Sequence, residues 1–417
     1  MKKIQTLISF LLLINCFGCI ETPTELKVDP NEPIAVLGEN QTVTVGNYIV
    51  FDGSKSSKGN GDTLIYRWSQ DLSNPEQFIF YSSSDFYDAA VKEGTYRYSL
   101  VVNNGIVDSK PAQLIVTVTP RRTSIISDIA LEASLRFAIK KQTGDLGDAD
   151  YLSIDSLYTG RGFLSSIKVK TLNGIERCRN LKQLGVSSQS VSDLSPLTDM
   201  SNLEKLKVDQ NHLLSDVKPL KNLVNLKYLD ISDNHVTDIS SLAGLTNLTD
   251  FFILGSPEYH VSDISVVANF KRLKSFMGAF WVQPDLSVFT SLSDLEVFYC
   301  SYSKINNLTG FKNCVKLREL YLTANEITDL TPICGLQELQ LLWLGGSKIE
   351  DITPLQNLEK LKSVILDDNL VKDLKPLVDN KGIGVGTTIM LRNNPLSEQS
   401  LNEYIPQLIA RGIYIIK

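Results

Sequence analysis

Histidine is almost missing from this chain: His212, His235 and His260 are the whole supply in 417 residues. Imidazole is the usual acid–base group and a common zinc ligand near neutral pH, so its scarcity leaves few catalytic or metal classes open. His212 and His235 each follow an asparagine in successive repeats, and His260 falls in a short insertion. All three read as exposed loop residues, with no metal. No Ser-His-Asp order, no H-E-x-x-H helix and no phosphate-cradling glycine loop is present. Basic runs are missing as well, and the net charge is −6, which argues against nucleic acid as a partner. Beyond the N-terminus no apolar run approaches the roughly 20 residues a membrane-spanning helix needs. These absences point away from an enzyme and away from any cofactor.

The first 19 residues read as an export signal, to be left out of the fold. Lys2 and Lys3 precede an apolar stretch at 4–14, too short to span a bilayer. Cys16 and Cys19 follow, and Gly18 before Cys19 resembles the small residue of a bacterial lipoprotein cleavage site. That resemblance implies lipidation of Cys19; cleavage at Cys16 after Asn15, or an ordinary secretory signal, are the alternatives. Anchoring would rest on acyl chains, in a bacterial envelope at the outer membrane or cell surface. Of the other cysteines, Cys178, Cys300 and Cys314 occupy buried apolar repeat positions and Cys334 lies on the back wall. Cys314 with Cys334 is the one pair considered for a disulfide, and free thiols are the expectation.

What the chain has in quantity is leucine in a fixed rhythm. Units start at Leu181, Leu203, Leu226, Leu248, Leu273, Leu295, Leu317, Leu339 and Leu361, most of them 22 residues apart. In the unit at 226–247, Leu229 and Ile231 alternate with the period of a short strand. Asn234 follows, with counterparts at Asn211, Asn325 and Asn369, placed to bond backbone groups that the turn buries. Behind each strand an acidic residue and often a proline recur, as in Asp329-Leu330-Thr331-Pro332-Ile333. This pattern predicts a tight turn and a short extended or 3-10 back wall. A unit this thin cannot bury its own leucines and needs near-copies on both sides.

These units resemble the bacterial leucine-rich repeats of the internalin type, from about Ile129 to the end. The resemblance implies an α/β leucine-rich-repeat solenoid with a parallel concave sheet, capped at both ends: an N-terminal cap over 124–180, repeats over 181–385 and a C-terminal cap over 386–417. The apolar spacing at 129–141 suits the helix of the first cap. Residues 391–396, 401–411 and 412–416 read as a last turn, a helix and a final strand.

Between a polar tether at 20–29 and the first cap, residues 30–120 change texture to short alternating strands with Gly and Ser turns, which argues for a small all-β sandwich. The strand-bearing pieces are 33–35, 43–50, 51–54, 66–68, 94–98, 100–102 and 114–118. They resemble an immunoglobulin-like domain of the polycystic-kidney-disease (PKD) type, with Trp68 filling the space between sheets. Ser69-Gln70-Asp71-Leu72 stands where that family has an Asp-Phe-Gly-Asp-Gly stretch. Asp52, Asn60 and Asp62 are the residues weighed for calcium, and plain turn roles are the expectation. The domain reads as a stalk.

One column carries the functional reading. The outward residue of each repeat strand is, in order, Gly185, Lys207, Asp230, Phe252, Met277, Tyr299, Tyr321, Trp343 and Ile365, with Phe280 and Tyr302 beside them. Strands about 4.8 Å apart would merge the large ones into one ridge, and a contiguous apolar patch asks for an explanation that scattered aromatics do not. Cross-strand packing is the bland account; ligand binding at Phe252, Met277, Phe280, Tyr299, Tyr302, Tyr321 and Trp343 is preferred. Glu204, Asp209, Asp230 and Asp233, interleaved with Lys205, Lys207 and Lys227, read as a solvated mixed-charge surface. The expected function is adhesion or interaction with a protein partner, and the alternative is an envelope glycan-binding or glycan-processing component.

Overall fold

The computed structural model describes residues 32–77, 80, 82–159, 167–281 and 286–417. The signal segment with Cys16 and Cys19, and the tether at 20–29, lie outside the described residues.

Six strands form the N-terminal unit: β1 (Gln41–Thr44), β2 (Tyr48–Asp52), β3 (Ile65–Gln70), β4 (Asp85–Ala89), β5 (Gly94–Asn103) and β6 (Ala112–Thr119). They make a four-stranded sheet ordered β1-β6-β5-β3, antiparallel except for the β1–β6 pair, and a two-stranded antiparallel sheet β2-β4. Alternation sends Phe51, Trp68, Phe86, Tyr98 and Leu100 into one core, where the Trp68 indole donates to Ser83 O at 3.1 Å. Two expectations change here. Residues 33–35 form only a single bridge, Ile34 to Ser57. The stretch 43–50 is two strands, broken by a turn with Gly46 at φ 95°. β4 was not legible because Asp85 and Asp88 interrupt its apolar pattern. Asp52 is committed to its own turn, accepting from Ser54 N and Oγ.

Helix α1 (Ile129–Ala138) starts at Asp128, whose carboxylate accepts from Leu131 N at 2.9 Å. Both of its faces are covered. One packs on the first repeats, and the other carries Phe137, whose ring meets Tyr48 at 5.3 Å and Tyr87 at 4.6 Å from the β-unit. Two bonds cross the same seam: Asn47 Nδ2 donates to Gln142 O at 2.5 Å, and Gln142 Nε2 to Tyr48 O at 3.3 Å. The β-unit therefore sits directly on the cap helix.

From there twelve parallel strands, β7 (Ser156–Thr159), β8 (Gln183–Val186), β9 (Lys205–Lys207), β10 (Tyr228–Asp230), β11 (Asp250–Leu254), β12 (Ser275–Ala279), β13 (Val297–Ser301), β14 (Glu319–Tyr321), β15 (Leu341–Trp343), β16 (Ser363–Ile365), β17 (Thr388–Met390) and β18 (Tyr414–Ile416), line up in sequence order as one sheet. β7 and β17 were not marked in the sequence, because the steps around them break the 22-residue period. The back walls are 3-10 turns such as Ser195–Leu197, Thr331–Ile333 and Thr353–Asn357. Each is opened by the expected carboxylate: Asp193, Asp329 and Asp351 accept from the backbone N–H two residues on at 2.8 Å.

The asparagines do what their position predicts. Asn325 Nδ2 donates to Cys300 O and Leu322 O, while its Oδ1 accepts from Ser303 N and Ile305 N. Asn211, Asn234 and Asn369 repeat the arrangement. Inside the middle repeats the leucine column gives way to phenylalanine: Phe276 stacks on Phe298 at 5.5 Å, and Phe298 meets Phe311 edge-on at 4.7 Å. Cys178, Cys300 and Cys314 are buried free thiols pushed up to about 12 by burial, and Cys334 is free and exposed.

Candidate functional site

Strand register fixes the site. In β11 to β16 the first and third residues face away from the core while the second is buried. The third residues are aligned pair by pair: Phe252 with Met277, Met277 with Tyr299, Tyr299 with Tyr321, Tyr321 with Trp343, and Trp343 with Ile365. Tyr321 and Tyr299 lie 6.0 Å apart and tilted, and Trp343 meets Tyr321 edge to face at 4.8 Å. Most of the ridge is half-buried; Trp343, 36% exposed, stands out furthest between Phe252 and Ile365.

Polar atoms hold these rings. Tyr321 OH donates to Glu319 Oε2 at 2.8 Å, and Trp343 Nε1 to Ser363 Oγ at 3.2 Å. Burial, with Glu319 adding to it, pushes the Tyr321 hydroxyl up to about 12, so it is a neutral donor at any working pH.

Phe280 and Tyr302 lie one step beyond the strands and stack on each other at 5.6 Å. Both have positive φ, 60° and 57°, in the left-handed turn that carries Gln210, Asp233, Ala324 and Gly346 in other coils. A large aromatic in that conformation is uncommon. Tyr302 is 58% exposed, so the turn presents it outward. In the next two coils Ala324 and Gly346 stand in place of the aromatics.

Three consecutive coils, at Ser256, Trp281 and Ser303, lack the turn asparagine, and each solves the loss differently. Ser303 Oγ caps Ser301 O and accepts from Trp281 N at 3.0 Å. Trp281 turns inward and is buried against Phe276, over Gly278, where a Cβ would stand 2.4 Å from the indole. In the coil at Ser256 the chain bulges, and Tyr259 stacks on His235 at 3.7 Å. His235 is thus a ring partner of Tyr259 and half-buried, as is His260, while His212 is exposed. Among the described residues no group of three or more His, Cys, Asp or Glu side chains is arranged to hold a metal ion.

The polar end of the column corrects the sequence reading. Asp230 is 7% exposed and is not part of a solvated surface. Tyr228 rises beside it, edge-on to Phe252 at 5.2 Å, with Lys205 Nζ 4.5 Å from its ring centre. Lys207 Nζ lies 3.6 Å from Asp230 and 3.8 Å from Asp209. Burial, and then the Asp209 charge, hold the Asp230 carboxyl above its ordinary range, against the lowering by Ser232 and Lys207. The column also runs further than expected, to Tyr158 at one end and to Met390 and Ile416 at the other. Gly185 makes room for Tyr158: a Cβ there would meet the ring at 2.3 Å. Only the strand phase, which the irregular flanking repeats hid, could have found these three.

No protein-family model matches the sequence, and no curated protein does. Solved structures do. An internalin, InlF, of Listeria monocytogenes is similar at 26% identity with a TM-score of 0.58, over 70% of this chain and 92% of that one. The functional domain of InlJ from the same organism, described as including a cysteine ladder, matches at 21% identity and a TM-score of 0.55 over 69% of this chain and 59% of that one. The solenoid is thus of the internalin kind in fold. No helix among the described residues is long and apolar enough to cross a membrane.

Proposed function

We propose that this chain is an exported surface protein whose solenoid binds a protein partner on the open face of its sheet, through Phe252, Met277, Phe280, Tyr299, Tyr302, Tyr321 and Trp343. The observation that carries the reading is the unbroken register of large side chains from Phe252 to Ile365. Binding energy concentrates in such aromatic clusters, and the half-buried rings are already ordered by their neighbours, which lowers the entropy lost on association. The InlF likeness supports an interaction role over turnover.

In this reading Cys19 carries the lipid and the β-unit, a PKD-type or related immunoglobulin-like sandwich, stands between anchor and solenoid at the cell envelope. The test is capture of surface proteins by the full mature chain, run beside a glycan array. Retention of one protein partner, lost on Trp343→Ala, supports the proposal. Retention of polysaccharide alone, or its cleavage, overturns it in favour of the glycan alternative.

A further inference from the structure

The β-unit has two ends, separated by the ten residues of β5, about 30 Å of strand. Tyr48, Tyr87, Ala89 and the Gly46 turn form the end that sits on helix α1. The opposite end is built from the loops at 53–64 and 103–108, which are tied together: Asn104 Nδ2 donates to Lys58 O, and Gly61 packs directly under Asn104.

Aliphatic side chains collect at that free end. Asn104 Oδ1 accepts from Ile106 N and Val107 N, both at 3.0 Å, and this holds a tight turn whose tip presents Ile106 at 75% and Val107 at 40% exposure. Ile65, paired with Asn103, and Ile34, paired with Ser57, are each about half exposed beside it. A turn pinned by a buried asparagine does not need two β-branched aliphatics at its apex; Gly, Asn or Ser would serve. Lys55, Lys58 and Lys110 are exposed around the same end, with Asp62 and with Asp108, which is paired to Arg67.

The chain also enters there. Ile34 joins the loop whose Lys58 carbonyl is bonded to Asn104. Residues 20–31 therefore lead from Cys19 to the free end, and twelve residues can span at most about 40 Å.

We propose that this end of the β-unit rests on a lipid bilayer, with Ile106 and Val107 dipping among the headgroups and the lysines facing anionic lipid. The inference rests on the reading of Cys19 as the acylated residue. Two aliphatic side chains alone bind a bilayer weakly, but a short tether raises their effective concentration at the surface. The posture points the solenoid, docked at the other end, away from the membrane with its ridge open.

The experiment uses the mature acylated protein in vesicles of phosphatidylcholine and phosphatidylglycerol, with and without acyl-chain-brominated lipid, and mass spectrometry to establish the acyl group on Cys19. Tryptophan is placed by Ile106→Trp and, as a control, by Leu72→Trp, a position 91% exposed just past the end of β3 away from Asn103, where Asp71 N donates to Arg97 O. The wild-type signal from Trp68, Trp281 and Trp343 is subtracted. Bromine should remove about half or more of the emission added by Ile106→Trp, given an insertion of about 5–10 Å. The emission added by Leu72→Trp should be unaffected, and Val107→Asp in the Ile106→Trp background should abolish the quenching. Acylated protein whose added emission at Ile106 ignores bromine overturns the docking while leaving the anchor intact. A mature chain with no acyl group on Cys19 overturns the anchor, and the tethered docking with it.

Discussion

Trp343 meets Tyr321 edge to face, with ring centroids 4.8 Å apart on neighbouring strands. An aromatic pair of this geometry contributes about 0.5–1.5 kcal/mol beyond its buried area, so the contact steadies the sheet whether or not a ligand uses it. The two rings differ in what they leave free: Tyr321 is half-buried and bonded to Glu319, whereas Trp343 is 36% exposed.

That difference separates recognition from packing. Trp343→Ala should weaken partner binding by about 2 kcal/mol, near thirtyfold, with a modest fall in melting temperature from the lost edge contact and Ser363 bond. Tyr321→Ala should weaken binding similarly and lower the melting temperature more, since it removes contacts to both Tyr299 and Trp343 along with the Glu319 bond. Affinity and melting are to be measured on the same preparations. Normal affinity in a variant that melts early would make the ridge a packing device.

The asparagine ladder predicts an unequal pair of substitutions. Asn325→Ala leaves two buried N–H groups and two carbonyls short of a partner, and each unpaired group costs about 1–3 kcal/mol. A loss of about 3 kcal/mol or more is expected, read as a shift in denaturant midpoint at constant slope. Asn313, exposed, donates once to Thr290 O, so Asn313→Ala should cost less than about 1 kcal/mol. Equal losses would contradict the burial argument.

Asp230 gives a pH dependence with a definite sign. Its folded carboxyl is raised by burial and by Asp209, so the folded state binds the proton more tightly than the unfolded state. Stability from this group is then complete below the unfolded value near about 4 and is lost as pH rises toward the raised folded value. Asp230→Asn removes the titration. Relative to wild type, the variant should gain melting temperature between pH 4 and pH 7. The gain is limited by the Lys207 partner, 3.6 Å away, which the substitution leaves without its charge. A constant difference across that range would show that Asp230 titrates normally.

Much of this molecule is legible in its sequence because a solenoid repeats one local solution. Leu229, Asn234 and Ile239 each predict a buried position, and every coil tests the prediction again. The outward column followed from the same phase. What stayed hidden lies where one residue answers to neighbours outside its own coil. Asp230 is a charged residue at an outward position, yet Tyr228 and Phe252 rise around it and remove it from water. Trp281 stands in an asparagine position and turns inward only because Gly278 leaves space beneath it. Strands β7 and β17 fall outside the period, so Tyr158 and Met390 were missing from the ridge. Glu132 and Arg136 are charged residues of helix α1 that are nonetheless buried, Glu132 against Gly46, far earlier in the chain.

Those two residues carry the last prediction. Glu132, 3% exposed, accepts from Arg136 Nε at 3.0 Å and from Arg121 Nη2 at 2.9 Å, and its carboxylate lies directly against Gly46 of the β-unit. Arg121 in turn donates to Ser127 O at 2.8 Å and to Ile126 O, which ties the connection between β6 and helix α1 to the same acid. Removing one member of a buried ion group leaves uncompensated charge and costs about 3–5 kcal/mol. With Phe137 between Tyr48 and Tyr87 on the same seam, the β-unit and the solenoid should unfold together in the wild type, as one calorimetric transition. Glu132→Ala should lower that transition and split it, the β-unit melting apart from the repeats. Phe137→Ala, which leaves the ion group in place, should split it with a smaller loss. Two separate transitions in the wild-type protein would mean that the seam contributes too little to couple the domains, and the β-unit would then be an independent spacer.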